Sequence, residues 1–390
     1  MNRTTRLLVA ILALSAPFAI AQTSGPVAYI YLSSNYSGAE NRVVGYAANA
    51  EGKLTEIPGS PWADRLSYLA TTGGYLFGST NIASDNGKNV FSYKVESNGA
   101  LKYIGANNIQ DGGSQNLCNV ANNLMLDHTG SFLYIFVHDE GCNSNGGAYQ
   151  SFAVNKSTGL LNYLSLTDPV GFYAYPPTML GNNGYAFAPM GDESDGSGEI
   201  CGYRKASNGA LDFKDNDDAV QCSDSGSPGL ADSNGQYFFV AADPANHLAA
   251  SMGFTIPTGD IVMKIATIAI NPANGAQSSN SSGDNMPASD VAYPSTSLAM
   301  APGGKLLAIG GSNGIQIYSF NPLAQALPIT GLISTANVTA MYWDNNNHLY
   351  AISNADSTLQ VFTVTSTSAE EAPGSPYSIP HPVAMTGHSM

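Results

Sequence analysis

Short apolar runs alternate with polar residues along the chain and are separated by turns rich in Gly, Asn and Pro. The clearest unit spans residues 297–320. Within it, residues 298–300 and 306–309 are predicted strands joined by the turn 302–304, because Pro fixes a negative φ and Gly accepts a positive one. Residues 315–320 alternate Ile, Tyr and Phe with Gln and Ser and predict a third strand. Three strands cannot bury their own apolar faces, so this unit needs neighbours.

The neighbours are copies of the same unit. Seven segments repeat the third strand, namely 43–46, 90–95, 149–154, 200–204, 265–270, 317–320 and 359–364. Most are followed by a turn glycine and a further strand, and the glycines are Gly52, Gly99, Gly159, Gly209 and Gly275. Asn-Gly pairs in these turns predict type I′ hairpins, which need positive φ at both central positions. A period of about 50 residues with four strands is typical of a β-propeller blade.

The two ends of the chain complete one blade. Residues 26–32 resemble a second strand and lack a first strand before them, whereas residues 380–385 resemble the first strand at 297–300. We therefore predict an all-β, seven-bladed propeller of four-stranded blades, whose ring is closed when the C-terminal strand joins the N-terminal blade. Closure of this kind removes a sheet edge. In the fifth blade the pattern predicts a first strand at 230–231 and a second strand at 237–240.

Three units carry additional residues between their second and third strands. These segments are 138–147 in the third unit, 191–199 in the fourth and 244–259 in the fifth. Equivalent loops of adjacent blades emerge on the same face of a propeller. Because binding residues concentrate on loops held by a rigid scaffold, we expect a binding site on this loop-rich face.

The first residues resemble a secretory signal. A basic start at Arg3 precedes an apolar run at 7–20 and a small-x-small site at 19–21. This pattern predicts a signal peptide at 1–21, a propeller at 22–390, and a secreted or periplasmic protein. No other segment is long and apolar enough to predict a membrane span.

The chain has a net charge of −15 and is 43% hydrophobic, so nucleic acid is an unfavourable partner and a large core is available.

Four cysteines in an exported chain suggest two disulfides. Three pairings are possible, and the local one joins Cys118 to Cys142 and Cys201 to Cys222. Each bridge would close a loop of roughly 20–25 residues and add about 3 kcal/mol in the chain-entropy model. Buried free thiols are the alternative.

The densest titratable cluster is His138, Asp139 and Glu140, in which the imidazole could act as a general base. A solvated loop is the alternative. Six residues near strand ends are candidates for lining the axial mouth, with packing between blades as the alternative: Arg65, Tyr68, Tyr175, Arg204, Trp343 and Asp344. The acidic loop residues Asp192, Glu193, Asp195 and Glu199 could hold Ca²⁺ through their oxygen atoms, with a solvated loop as the alternative. Their spacing does not match a twelve-residue calcium loop, so we predict no cofactor.

The repeat resembles the seven-bladed propellers of the lactonase family, which are related to 6-phosphogluconolactonase, and the YVTN-type surface propellers. The matching segments are the strand–Asn-Gly-x-Leu–strand pattern, the Gly-Ser-Pro-aromatic segments 59–62 and 374–377, and the segment 125–134. The resemblance implies the fold. Where the family shows a histidine-containing strand and a Gly-Pro-Arg-His segment, this chain has 118–124 and 225–231, which contain neither His nor Arg.

Two functions remain open on this basis. The first is an exported, monomeric binding propeller without enzymatic activity, whose partner is a small molecule, a glycan or a protein. The second is a divergent lactone hydrolase that uses His138 with Asp139 or Glu140, as the family resemblance implies.

Overall fold

Seven antiparallel sheets follow one another along the chain, each built as a meander of four main strands. The computed structural model describes residues 25–36, 40–62, 66–80, 89–109, 120–138, 148–167, 173–174, 177–191, 198–212, 235–279, 281, 285–321 and 325–390. The first strand of each sheet contacts the first strand of the next, and the series returns to its start. The sheets are therefore the blades of a closed, seven-bladed propeller, as predicted.

The strands of blades 1 to 4 are, in chain order, β1 (Ala28–Tyr36), β2 (Glu40–Ala48) and β3 (Leu54–Glu56); β4 (Tyr68–Thr72), β5 (Tyr75–Ser79), β6 (Asn89–Val95) and β7 (Leu101–Asn108); β8 (Val120–Leu126), β9 (Phe132–His138), β10 (Ala148–Val154) and β11 (Leu161–Thr167); and β12 (Tyr173–Ala174), β13 (Thr178–Met179), β14 (Tyr185–Gly191), β15 (Gly198–Lys205) and β16 (Leu211–Asp212). Both β12 and β13 pair with β14, so together they supply the first strand of blade 4.

The strands of blades 5 to 7 are β17 (Gly235–Ala242), β18 (His247–Thr255), β19 (Ile261–Ile270) and β20 (Gln277–Ser278); β21 (Ser295–Met300), β22 (Leu306–Gly311), β23 (Gly314–Ser319) and β24 (Leu327–Ser334); and β25 (Ala340–Trp343), β26 (His348–Ser353), β27 (Thr358–Val364), β28 (Ala369–Glu371) and β29 (Tyr377–Ser378). The last strand, β30 (Pro382–Ser389), returns to blade 1.

The ring closes through β30, which is the innermost strand of blade 1. It pairs antiparallel with β1 from Ala28 opposite Ser389 to Ser34 opposite Pro382, with one irregularity between Ser33 and Ser34. The N–H of Met390 also donates to the carbonyl oxygen of Val27 at 2.8 Å. The predicted closure is confirmed, and it covers the inner edge of β1, which would otherwise be unpaired.

Blade 5 differs from its prediction. Residues 237–240 lie in β17, the innermost strand, and the second strand is β18 (His247–Thr255). The expected first strand at 230–231 falls outside the described residues. The supposed insertion at 244–259 is therefore wrong, since most of it is β18 with ordinary turns on either side. Aromatic residues at 237–239 resembled the second strands of the other blades, but aromatic content does not fix the radial position of a strand.

The turns between third and fourth strands also differ from their prediction. In the turn 96–100, the N–H of Gly99 donates to the carbonyl oxygen of Glu96 at 2.8 Å, and only Gly99 has a positive φ, of 85°. This is a three-residue loop with glycine in the left-handed region, so the type I′ prediction is wrong. Asn98 has another role, since its Oδ1 accepts the N–H of Ala100 at 3.0 Å. Asn208 and Asn274 repeat this bond to the residues two positions on.

The meander places the connections of every blade on two faces. Turns between first and second strands, and between third and fourth strands, share one face, which we call the turn face. Connections between second and third strands, and from one blade to the next, share the other face, which we call the loop face. Of the predicted insertions at 138–147 and 191–199, the structure describes the ends of β9 at His138 and of β14 at Gly191, which reach the loop face, and most of the other residues lie outside the described part of the chain.

Neighbouring blades are joined by an aromatic ring of one blade that packs on the glycine turn of the next. The Tyr29 hydroxyl donates to the carbonyl oxygen of Ser97 at 2.8 Å, and a Cβ added to Gly99 would lie 2.6 Å from the Tyr29 ring. Blade 3 repeats the contact on blade 4, where a Cβ on Gly209 would lie 2.0 Å from the Phe132 ring. The glycines are therefore required for ring packing as well as for their φ.

The first prediction separates these two requirements. Gly99→Ala adds both strained φ and a clash with Tyr29, whereas Gly259→Ala adds only strained φ. Gly259 has a φ of 88° in a turn with the same hydrogen bonds, and no atom lies within 4 Å of its added Cβ. We expect Gly259→Ala to cost about 1 kcal/mol and Gly99→Ala about 1–3 kcal/mol more. Chemical denaturation of both variants measures the difference, and equal losses would contradict the packing role of the turn.

Candidate functional site: the axial cavity

A cavity of about 910 Å³ runs along the propeller axis. Its described walls come from the innermost strands of blade 1 and blades 3 to 7, and it extends from Thr296 at the start of β21 to Pro302 in the turn after it. His128, Pro244 and Asn345, which belong to turns between first and second strands, also line it. The cavity therefore spans the length of the inner strands and reaches the turn face. Its volume falls within the range of about 300–1,000 Å³ that small-molecule sites occupy.

The lining combines apolar side chains with uncharged polar groups. Phe239, Leu298, Met300 and Met341 contribute apolar surface, and further lining residues supply hydroxyl, amide and imidazole groups: Asn123, His128, Thr178, Thr296, Ser297, Thr339, Tyr342, Asn345, His388 and Ser389. No Lys or Arg occurs among the described lining residues. Such a surface can pack against the carbon skeleton of a ligand and also bind its hydroxyl or carbonyl groups.

Asp243 is the one carboxylate in the described lining, and groups of its own turn form hydrogen bonds with it. Oδ1 accepts the N–H groups of Ala245 at 2.9 Å and His247 at 3.0 Å, and Oδ2 lies 2.8 Å from His247 Nδ1. The residue is 6% exposed. Its charge is therefore used to hold the turn between β17 and β18, which leaves the cavity surface without a free anion among these residues.

The C-terminal strand places two side chains, His388 and Ser389, beside the cavity, next to Tyr342 of β25. His388 is half-buried in β30, and this burial lowers the pKa of its imidazole below the ordinary value. Ser389 Oγ lies 3.2 Å from the Tyr342 hydroxyl and accepts the N–H of Asn345 at 3.2 Å. Burial raises the pKa of Tyr342 to about 12, so its hydroxyl keeps its proton. At neutral pH this part of the cavity presents a neutral imidazole and neutral hydroxyls.

Glycine at position 387 lets the tyrosine lie against the strand. A Cβ at Gly387 would lie 2.2 Å from Cε1 of Tyr342. The ring of blade 7 can therefore cover the backbone of blade 1 at the cavity wall. Both residues line the cavity, so this contact forms part of its wall.

Two of the predicted pocket residues lie at the end of β25, and they do different things. Trp343 lines the cavity, and its Nε1 donates to the carbonyl oxygen of Ala299 at 3.1 Å. Asp344 is fully buried behind it, where its Oδ2 accepts the Tyr350 hydroxyl at 2.9 Å and lies 2.7 Å from His348 Nδ1. Its Oδ1 accepts the N–H groups of Asn346 and His348. The carboxylate of Asp344 thus stabilises a turn and does not face the cavity.

Two further candidates that the structure describes, Tyr68 and Arg204, are not among the described residues that line the cavity. Tyr68 begins β4 and packs partly buried against the core between blades 2 and 3. Arg204 is exposed on β15, the third strand of blade 4. The backbone of His138 ends β9 on the loop face, and its side chain is not among the described ones. Arg65, Tyr175, Asp139 and Glu140 fall in undescribed segments, so their predicted roles stay predictions.

Most of the cysteines and most of the acidic loop residues also fall outside the described residues. Cys201 is fully buried in β15 and is not a free thiol. Its proposed partner Cys222, like Cys118 and Cys142, lies outside the described residues, and both pairings stay predictions. Within the described ranges, no three His, Cys, Asp or Glu side chains are grouped as a metal site would require. No helix in the described structure is long and apolar enough to cross a membrane.

Sequence reasoning missed Phe239 and His388. Phe239 was assigned to a second strand, away from the axis, and the error in blade 5 hid it. His388 follows the predicted C-terminal strand by three residues, and only the full length of β30 brings it to the cavity. The signal that could have found both is strand length, because inner strands of six to eight residues span the whole axis.

Comparison with solved structures finds this fold in several bacterial proteins. A protein named as a 6-phosphogluconolactonase from Bacteroides fragilis superposes with a TM-score of 0.68 at 12% identity, over 95% of this chain and 99% of that one. Another so named, from Bacteroides uniformis, gives 0.66 at 13% identity over 94% and 100%. The periplasmic gluconolactonase PpgL of Pseudomonas aeruginosa gives 0.65 at 13% identity over 93% and 99%.

These likenesses confirm the lactonase-type, seven-bladed propeller as the fold. At 12–13% identity they show the fold alone. No protein-family model matches the chain, and no curated protein matches it either. The function is therefore inferred from the residues that line the cavity.

The second prediction concerns pH. Because the pKa of His388 is lowered in the folded protein, the unfolded chain takes up a proton more readily as pH falls below the ordinary value of about 6.5. The contribution of His388 to the free energy of unfolding is fully present above that pH. It is lost as the pH falls toward the lowered pKa of the folded state. We expect His388→Gln to flatten the decline of Tm between about pH 7 and pH 5. The same substitution at exposed His381 is the control, and an unchanged slope in His388→Gln would contradict the prediction.

Proposed function

We propose that this protein is a binding propeller that holds a small, uncharged, hydroxyl-bearing ligand, such as a sugar or sugar lactone, in its axial cavity. The observation that carries the proposal is the neutral, half-apolar lining described above. Sugars present both C–H faces and hydroxyl groups, and aromatic surfaces with amide and hydroxyl neighbours suit both. A protein or larger glycan on the loop face, reached through the segments at 138–147 and 191–199, remains a further proposal.

The third prediction tests the cavity. Ser297 lies on β21 at the cavity wall, so Ser297→Trp fills part of the space a ligand would use. We expect D-glucose, cellobiose or D-glucono-1,5-lactone to raise the Tm of the wild-type protein, since a ligand that binds only the folded state stabilises it. Ser297→Trp should lose this shift. Ser207→Trp, which places the same side chain in an exposed turn, should keep it.

The outcomes of this experiment are distinct. No shift with any of the three compounds would contradict the proposal. If the ligand still raises the Tm of Ser297→Trp, its binding site lies elsewhere than in the axial cavity. Calorimetric titration of wild-type protein and both variants gives the affinities that separate these cases.

A ring-opening hydrolase is the second candidate. The fold likeness to proteins named as lactonases and the neutral imidazole of His388 in the cavity favour it, because a neutral imidazole can accept a proton from water. Turnover of D-glucono-1,5-lactone above its spontaneous rate, followed by pH-stat, would support it. Loss of this turnover in His388→Gln would place the general base in the axial cavity. Loss of turnover in His138→Ala would place it on the loop face.

We also propose that the protein is exported, because residues 1–21 have the basic, apolar and small-residue order of a signal peptide. The fourth prediction is that the mature chain begins at Gln22. N-terminal sequencing of protein recovered from the periplasm or medium checks it. A cytoplasmic protein that still begins at Met1 would contradict it.

A further inference from the structure

A second cavity lies beside the axial one on the turn face. It is a groove of about 970 Å³ between turns of blades 5, 6 and 7. Asp243, Pro244 and Ala301 line both spaces, so the turn of blade 5 and the end of β21 form the sill between them. The two cavities are therefore neighbours that share one wall.

The sill is closely packed against blade 6 and exposes the apolar ring of Pro244. A Cβ on Gly304 would lie 2.5 Å from Cδ of Pro244, so blade 6 holds the proline in contact with its own turn. The carboxylate of Asp243 points into its turn, as described above, whereas Pro244 is exposed. A ligand that crosses the sill would meet a pyrrolidine ring and no free charge from these two residues.

One turn of blade 7 borders both spaces. Asn345 lines the axial cavity and Asn347, two residues on, lines the groove. Both side chains are exposed. This turn therefore contributes one exposed asparagine to each of the two spaces.

The groove, like the axial cavity, combines apolar with polar side chains, but its lining also contains one cation, Lys305. Leu306 and Phe320, which are 7% and 5% exposed, give it an apolar floor. Its polar walls are formed by hydroxyl, amide and ammonium groups, namely Lys305, Ser319, Asn321, Asn347 and Ser366. Apolar surface beneath amide and hydroxyl groups suits another sugar unit, as it does at the axis.

We propose that the ligand is a chain of neutral sugar units that starts in the axial cavity, passes Pro244 and Asn345, and continues into the groove. This inference rests on the proposed function and extends it. It names the ligand as an oligosaccharide and assigns the groove as the subsite for its outer units. Binding should therefore strengthen as the sugar chain lengthens beyond what the axial cavity holds.

The fifth prediction uses Ser366, an exposed groove residue in the turn after β27. Cello- and malto-oligosaccharides of two and six units are titrated by calorimetry. In the wild-type protein, the six-unit member of at least one series should bind at least about tenfold tighter than its two-unit member. Ser366→Trp fills the groove and should reduce this advantage to less than about threefold, with two-unit binding unchanged.

Two further variants complete the experiment. Thr367→Trp places the same bulk on the next residue of the exposed turn, outside the groove lining, and should keep the full advantage. Asn347→Gly removes the groove amide but suits the positive φ of 61° at this position, so it should weaken only six-unit binding.

The failures are distinguishable. If neither length binds, the proposed sugar ligand is wrong and this inference falls with it. If both lengths bind equally in the wild-type protein, the axial site stands and the groove is not a subsite. An advantage that Ser366→Trp leaves intact, or a loss of two-unit binding in that variant, would also overturn the groove assignment.

Discussion

The packing of an aromatic ring on the glycine turn of the neighbouring blade is the contact on which the structure depends. A four-stranded blade cannot bury both of its faces, so each must be covered by another blade. Tyr31 and Tyr134 show how register is fixed as well, because their hydroxyls donate to the carbonyl oxygens of Gly99 and Gly209 at 2.7 and 2.8 Å. Close approach sets the spacing of blades, and the hydrogen bond sets their relative height. The dimensions of the axial cavity follow from both.

A second set of contacts holds the mouth of the cavity on the turn face. Asp127, Asp243 and Asp344 each accept backbone N–H groups within the turn between a first and a second strand. Asp127 also binds Lys205 of blade 4 at 3.0 Å; burial alone would raise its pKa, but hydrogen bonds from Thr129, Lys205 and the N–H of Phe132 lower it. These buried carboxylates are parts of the framework. Acidic residues near the axis therefore do not by themselves indicate catalysis.

The segments that carry the family resemblance belong to this same framework. Ser60 of the first Gly-Ser-Pro segment accepts the N–H of Gly45 at 3.1 Å, and Ser375 of the second accepts the N–H of Val361 at 3.0 Å. Both bonds satisfy the N–H of a third-strand residue at the point where the fourth strand, β3 or β28, has ended. Because these motifs build blades, they report on the fold and carry no information about the ligand. This is why the resemblance predicted the architecture and left the chemistry open.

The limits of prediction have the same physical origin. Blade number and closure followed from the repeated alternation of apolar residues and from the matching chain ends, both of which are local patterns. The radial position of Tyr237 and its neighbours depends on the place of β17 in the strand order of blade 5, and no local pattern records that order. Trp343 was found because it ends a recognisable strand, whereas His388 reaches the axis only through the pairing of β30 with β1 across the whole chain. Framework residues are therefore more predictable than lining residues.

The electrostatics of the molecule favour an uncharged ligand. The chain carries a net charge of −15, while the described axial lining is neutral apart from Asp243, whose carboxylate is bonded within its own turn. An anionic ligand would approach an acidic surface and would lose its hydration without meeting a cation from this lining, which is costly. A neutral sugar has no charge that the acidic surface would repel or that binding would desolvate. Its hydroxyls can replace their hydrogen bonds to water with hydrogen bonds to the amides and hydroxyls of the wall. The same fold can therefore hold a different ligand when the residues around its axis change and the blade contacts do not.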